Sequence, residues 1–166
     1  SHGWVHRDIK PDNFLVTPEG DVKLIDFALA RRTSGGLARL FSRKSKIVQG
    51  TRSYMSPEQI RGEALDSRAD MYSLACTLFE LVGGRPPFTG ASANDLLVKH
   101  LKSSPPSVQA LNREATPEFS DLLRKALAKK TSSRLKSSED FYNQLRVTPI
   151  LQNKPDPPKD SKEKEE

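Results

Sequence analysis

The stretch Val5-His6-Arg7-Asp8-Ile9-Lys10-Pro11-Asp12-Asn13-Phe14-Leu15-Val16 decides how this chain is read. Apolar, strand-favouring residues bracket a loop that holds an Asp, a Lys and an Asn in fixed register. Trp4 to His6 reads as a short strand feeding the loop, and Phe14-Leu15-Val16 as a second strand. Thr17-Pro18-Glu19-Gly20-Asp21 has Pro and Gly placed for a turn. Val22 to Ile25 is then a third strand, so residues 14–25 form a β-hairpin that ends at Asp26. Such a hairpin can bring Asp26 beside Asn13. Two hard oxygen ligands, Asn13 and Asp26, suit a Mg²⁺ that keeps most of its waters and also binds phosphate oxygens. Lys10 adds a positive charge for an anion, and Asp8 is left to accept a hydroxyl proton. Together these groups suggest transfer of a phosphoryl group to an alcohol.

Outward from this stretch the pattern changes. Residues 28–50 follow neither the strand nor the helix period, and their Gly, Ser, Arg and Lys content reads as a loop. Basic residues crowd between Arg31 and Arg52, where no Asp or Glu occurs. The crowd reads as a solvated loop, as a phosphate or anionic-peptide site, or, furthest from the pattern, as a nucleic-acid surface. No nucleic-acid-binding motif accompanies it, so nucleic acid is not an expected partner.

Helices take over afterwards. Ser56 can cap a short helix with Pro57 at its first position and Glu58 in its first turn. Asp66 or Ser67 opens a longer one through Val82, stopped by Gly83-Gly84 and Pro86-Pro87. Met71, Leu74, Ala75, Leu78, Leu81 and Val82 form one apolar stripe on it, and Tyr72, Cys76 and Phe79 make the other side apolar too. Such a helix should run through the middle of the fold. Ser92 or Asn94 starts a helix to about Leu101. Thr116-Pro117-Glu118 opens one to about Ala128, and Ser137 or Ser138 one to about Leu145. Beyond these the composition turns to Pro, Lys, Asp and Glu, so residues 147–166 are expected to be a disordered charged tail. The expected class is α+β, mainly helical, with a small β-hairpin.

With 166 residues the chain is long enough for one domain with a core, and its net charge of +6 is a modest excess. Cys76 is the only cysteine, which excludes an internal disulfide or a zinc site; it reads as a buried structural thiol and fits a reducing, cytoplasmic compartment. No charged n-region leads into an apolar h-region at the start, so no signal peptide is expected. The longest apolar run, Met71 to Val82, is broken by polar residues and too short to span a bilayer.

His6-Arg7-Asp8-Ile9-Lys10-Pro11-Asp12-Asn13 resembles the catalytic loop of protein kinases, in its serine/threonine form. Asp26-Phe27-Ala28 stands where that family has Asp-Phe-Gly. Gly50-Thr51-Arg52-Ser53-Tyr54-Met55-Ser56-Pro57-Glu58-Gln59 is similar to the end of an activation segment, in the style of bacterial kinases of the eukaryotic type. Asp70-Met71-Tyr72-Ser73-Leu74 and Gly84-Arg85-Pro86-Pro87-Phe88 resemble the central helix of the large lobe and the loop after it. The resemblance covers roughly residues 1–146 and implies the large lobe of a serine/threonine-protein kinase, a transferase using ATP and Mg²⁺ on protein Ser/Thr hydroxyls. By it, Asp8 accepts the substrate proton, Lys10 lies near the transferring phosphate, and Asn13 and Asp26 hold Mg²⁺. His6 is a packing residue. Arg7, with Arg31, binds a phosphate on the activation segment, for which Thr33, Ser34, Ser42 and Ser45 are candidate acceptors. Thr51 touches Asp8 and Lys10, Asp70 braces the catalytic loop, and Arg134 pairs with Glu58.

Departures from the family pattern qualify this. Ala28 replaces a Gly and costs on the order of 1 kcal/mol if φ there must be positive. Ser56 stands for Ala, and Lys130-Thr131 replace an Asp-Pro ahead of Arg134. The Gly-rich phosphate loop, strand Lys and paired helix Glu of the family's N-terminal lobe do not occur in the 166 residues. The expectation is therefore a partial catalytic domain, inactive by itself, that needs a separate N-terminal lobe and exposes an apolar patch. The alternative is a non-catalytic kinase-like binding module, or a truncated fragment, that recognises a partner through the surface around Thr51 and residues 93–113.

Overall fold

The computed structural model describes residues 3–32 and 49–153. Two small antiparallel sheets precede five α-helices. Strand β1 (Trp4–Val5) pairs with β4 (Arg31–Arg32), and β2 (Phe14–Val16) with β3 (Val22–Leu24). In the hairpin, Phe14 faces Leu24 and Val16 faces Val22, so the expected hairpin is present. The β1–β4 pair was not expected. Trp4 stands opposite Arg32 and Val5 opposite Arg31, which closes the loop region back onto its own start. Trp4, Leu15, Val16, Val22 and Phe27 are exposed.

The helices are α1 (Pro57–Arg61), α2 (Ser67–Gly83), α3 (Ala93–Lys102), α4 (Pro117–Ala126) and α5 (Ser138–Val147). Each starts on a side chain that accepts an otherwise orphaned backbone N–H. The caps are Ser56, Asp66, Ser92, Thr116 and Ser137. At Ser56 the exchange is reciprocal, because Gln59 Oε1 accepts the Ser56 N–H at 3.0 Å. Gly62 and Gly84 end α1 and α2 in the left-handed region, where a Cβ would be strained.

Helix α2 is the axis of the core. Met71, Tyr72, Ala75, Cys76 and Phe79 on it pack with Phe119, Leu122, Leu123, Ala126 and Leu127 of the α4 region and Phe141 of α5. Burying a side chain of this size is worth about 1.5–3 kcal/mol. The buried Thr77 hydroxyl is satisfied locally, donating to Ser73 O at 3.0 Å. The helix is not apolar all round, since Leu81 is 68% exposed.

The expected tail boundary at 147 is too early. Val147 closes α5, and residues 148–153 lie along the chain before α4. Thr116 N–H donates to Ile150 O at 3.1 Å and Gln152 N–H to Glu114 O at 2.7 Å. Thr116 Oγ1 also donates to Pro149 O. Backbone pairing of this kind is indifferent to the polar composition on which the expectation rested. The rest of that tail, 154–166, lies outside the described residues, as do Thr33, Ser34, Ser42, Ser45 and the side chain of Thr51.

Candidate active site

The loop after β1 tightens into a 3-10 helix, Pro11–Asn13, with Pro11 at its first position. This turn folds Lys10 and Asn13 back onto Asp8. Asp8 Oδ2 accepts from Lys10 Nζ at 2.8 Å and from Asn13 Nδ2 at 3.2 Å. The same Nδ2 donates to Asp8 O at 2.6 Å. Both acceptors are oxygens that cannot donate, so the Asn13 amide must point its nitrogen at Asp8. Its Oδ1 is thereby turned away, with no hydrogen bond among the described residues. Asp8 Oδ1 is buried and has no partner among the described residues. An unmatched buried acceptor costs about 1–3 kcal/mol, which marks a place where a donor from outside fits.

His6 fixes this loop to the hairpin. Asp8 N–H donates to His6 Nδ1 at 3.3 Å, so the ring proton sits on Nε2 and is donated to Ile25 O at 3.1 Å. Phe27 meets the same ring edge-on, with centroids 4.9 Å apart. Ile25 N–H donates to Asn13 O at 2.9 Å. His6 is thus a packing and tautomer-fixed residue, as expected.

Asp26 follows Ile25, the residue whose N–H is bonded to Asn13. Strand β3 ends at Leu24, and Asp26 turns away in the left-handed region, at φ 60°. Its exposed carboxylate accepts from Ala28 N–H at 3.2 Å, within its own turn, and not from Asn13. Asp8, Lys10 and Asn13 are therefore joined directly, while no hydrogen bond among the described residues ties Asp26 to them. Ala28 has no positive φ, so the cost weighed for it does not arise; Asp26 is the residue in that region. An Asp tolerates that region because its side chain bonds the backbone two residues on. Asn13 Oδ1 and the Asp26 carboxylate remain the hard oxygen donors here, and their chemistry fits Mg²⁺.

Three neighbours hold the loop from below. Asp70, in the first turns of α2, accepts His6 N–H at 2.7 Å and Arg7 N–H at 2.9 Å. Burial pushes its carboxyl above the usual carboxylate range, and these two bonds oppose that rise. Gln59 Nε2 donates to Arg7 O at 3.0 Å. Arg7 is thus clamped on both sides of a left-handed backbone, at φ 73°. Its guanidinium is lowered from its ordinary value by burial first and by the nearby charge of Arg31 second. Arg7 Nε is buried without a partner among the described residues.

The 3-10 helix Gln49–Tyr54 reaches the adjoining pocket with its last residue. Tyr54, Met55, Gln59 and Ser73 line a small pocket with Arg7, Asp8 and Ile9. Ser73 Oγ donates to Tyr54 O at 2.7 Å, and Tyr54 Oη donates to Glu80 Oε2 at 2.5 Å. Further down, Arg134 grips Glu58 in a two-pronged ion pair at 2.7 and 2.8 Å. Sequence reading found the Asp70 and Glu58–Arg134 partnerships and missed the Gln59 clamp and the Tyr54–Glu80 bond. Gln59 carried a signal only as the third residue after a cap.

A catalytic-type loop braced by a central helix, on a mainly helical fold, defines a class, and the comparisons agree on it. The model of the protein kinase domain matches residues 1–145, and the chain belongs to the protein kinase family. Its relatives are bacterial serine/threonine kinases. A probable serine/threonine-protein kinase of Streptomyces coelicolor is 40% identical over 84% of this chain and 20% of its own length. The serine/threonine-protein kinase PknB of Mycolicibacterium smegmatis is 35% identical over 87% and 23%, respectively. A probable PknB of Bifidobacterium longum is 40% identical over 86% and 20%. The chain thus spans about a fifth of the length of these curated relatives. Among the described residues no helix is long and apolar enough to cross a membrane.

Proposed function

We propose that these residues are the large-lobe part of a serine/threonine-protein kinase, moving a phosphoryl group from ATP to a Ser or Thr hydroxyl of a protein. One observation carries the reading: Asp8 Oδ2 is tied down by Lys10 and Asn13 while Asp8 Oδ1 is buried and unmatched. A substrate hydroxyl is the donor that this oxygen lacks. Asp8 receives the hydroxyl proton on Oδ1 as the hydroxyl oxygen bonds to the γ-phosphorus and the bond to ADP breaks. Lys10, fixed on Asp8, faces the phosphoryl oxygens with its remaining ammonium protons. Asn13 Oδ1 and Asp26 are the residues that would hold Mg²⁺, for which Asp26 turns its carboxylate out of the Ala28 bond. Mg²⁺ supplies neutralisation of the charge that builds on the phosphate oxygens.

The 166 residues hold none of the family's Gly-rich loop, strand Lys or helix Glu. We therefore assign the grip on the rest of ATP to residues outside them, and expect no transfer by this chain alone. The site is placed in the cytoplasm, where ATP is available, with no role for nucleic acid. The test uses labelled ATP, Mg²⁺ and a generic protein substrate, with the chain alone and with the full natural polypeptide that contains it. Expected is label transfer only in the longer protein, lost by at least 10²-fold in Asp8→Ala. Undiminished transfer in Asp8→Ala defeats the assignment and leaves the binding-module reading.

A further inference from the structure

Helix α1 reaches the catalytic-type loop through one side chain. Gln59 Nε2 donates to Arg7 O at 3.0 Å, across 52 positions of sequence. Its other amide atom is spent on the start of α1, where Oε1 accepts Ser56 N–H at 3.0 Å and the Ser56 hydroxyl at 2.9 Å. These partners fix which way the amide points, because a backbone N–H can only donate and a carbonyl oxygen can only accept. Gln59 is half-buried and lines, with Arg7 and Asp8, the small pocket beside the loop. The phosphoryl chemistry above makes no use of it.

What Gln59 holds is the peptide unit that leads into Asp8. The carbonyl of that unit is Arg7 O, and its N–H is that of Asp8. The N–H end goes to His6 Nδ1 at 3.3 Å, a long bond. The carbonyl end goes to Gln59. On the other flank of Arg7, Asp70 takes the N–H groups of His6 and Arg7 at 2.7 and 2.9 Å. Between these holds Arg7 lies in the left-handed region, at φ 73°, a conformation that a residue with a long side chain keeps only when its surroundings enforce it. A turn of the Arg7–Asp8 peptide plane swings the Cα–Cβ bond of Asp8, and with it the carboxylate. Lys10 and Asn13, which hold Oδ2, belong to the same loop and move with it. Gln59 instead ties the loop to a separate helix, which the Glu58–Arg134 pair fastens to the core.

We propose that Gln59 is a positioning residue for the transfer: its Nε2–H holds the Arg7–Asp8 peptide plane and so sets where the Asp8 carboxylate stands to receive the hydroxyl proton. Gln59 moves no proton itself. It acts through Asp8, on the rate of the step rather than on the binding of either substrate, and in this it rests on the kinase reading given above. A misplacement of about 1 Å at a reacting group can cost about 10²-fold in rate, so the loss of one backbone hold shows in kcat.

The test compares Gln59→Glu and Gln59→Met in the full natural polypeptide, with ATP, Mg²⁺ and a generic protein substrate. At about pH 8 the Glu side chain is ionised, so it keeps the acceptor for Ser56 and offers Arg7 O no donor, whereas Met offers neither. Expected in both is a fall in kcat of about tenfold, with KM for ATP and for the protein within about twofold of the parent. Amide exchange over residues 6–9, which needs no activity, is expected to rise about fivefold in both while α4 and α5 stay level. A loss of kcat in Gln59→Met alone shows that Gln59 serves only the start of α1, and overturns the proposal. So does full kcat in Gln59→Glu, a rise in KM in place of the fall in kcat, or exchange raised uniformly across the chain. Should Gln59→Glu fail to fold, Gln59→Asn, whose amide stops one methylene short of Arg7 O, takes its place with the same expectation. Undiminished transfer in Asp8→Ala overturns the kinase reading instead, and leaves the exchange over residues 6–9 to show whether Gln59 holds the loop.

Discussion

Changing Glu58 to Gln should destabilise this fold more than the loss of one hydrogen bond suggests. The two side chains of the Glu58–Arg134 pair are only 3% and 0% exposed, respectively. Arg134 also donates from Nε to Ala128 O and from Nη1 to Arg68 O, each at 2.8 Å. Those carbonyls satisfy donors without cancelling the charge, which only Glu58 does. In Glu58→Gln the amide oxygen replaces one carboxylate oxygen, but the amide N–H₂ is driven against a guanidinium N–H. The fold then holds an uncompensated buried cation, a fault that costs about 3–5 kcal/mol. A domain of this size has about 5–15 kcal/mol to lose, so roughly a fifth or more of the stability goes. Urea unfolding of the chain measures it, as a lower midpoint at unchanged slope. Arg134→Met should cost a similar amount. The double variant Glu58→Gln/Arg134→Met should recover at least 2 kcal/mol relative to the sum of the two, because no charge is left stranded. A single substitution that costs under 1 kcal/mol, or a double variant equal to the sum, refutes the reasoning.

Three further perturbations test other parts of the structure. His100 is lowered by burial to about 4 from an ordinary 6.5, so below 6.5 the unfolded chain takes up a proton that the native state refuses. The stability that His100 supplies is complete above pH 6.5 and falls by about 3 kcal/mol as pH drops to 4, a slope that His100→Gln should lack. Asp70 is pushed up and works in the opposite sense, but it is common to both proteins, so the difference between their unfolding curves isolates the histidine. Ala28→Gly should lower the stability by about 0.5–1 kcal/mol, because Ala28 has no positive φ to relieve and Gly only adds freedom to the unfolded chain; a rise in melting temperature contradicts this. Asp70→Ala strands the N–H groups of His6 and Arg7 at about 1–3 kcal/mol each, whereas Asp70→Asn keeps one acceptor and should lose about half as much, read by the same urea titration.

What the sequence made legible was whatever a short window encodes. Ser56, Asp66, Ser92, Thr116 and Ser137 were all among its candidate helix starts, because a cap acts within three residues. The hairpin followed from the turn between Val16 and Val22 for the same reason. Pairing across distance was legible only through resemblance: Glu58 and Arg134 lie 76 positions apart and share no pattern. The β1–β4 pair, two residues long, offers no periodicity at all. Asp26 shows the limit at the site. The period placed it at a strand end, yet its backbone leaves the strand in the left-handed region, and no residue count could tell that Ala28 would escape that conformation.

The bracing of the site shows why α2 is the element the rest depends on. Its turns present different groups to different neighbours. Asp70 takes the backbone of His6 and Arg7, Ser73 and Glu80 take the two ends of Tyr54, and Tyr72 takes His100. The Arg68 carbonyl takes Arg134, which holds Glu58 and through it α1. Helix α1 carries Gln59, which returns to Arg7. The loop that holds Asp8 is therefore closed in a ring of contacts whose common member is one helix. Its buried apolar face ties that helix to α4 and α5. A substitution in the core beneath α2, such as Leu123→Ala, then acts on the site as well as on stability. It removes about 2–5 kcal/mol of packing and loosens, in the same step, the helix from which Asp70 and Ser73 reach the loop. Hydrogen exchange should report this as correlated loss of protection at His6, Arg7 and Tyr54. Protection at those three amides unchanged in a Leu123→Ala protein that still folds would show that the loop stands without α2.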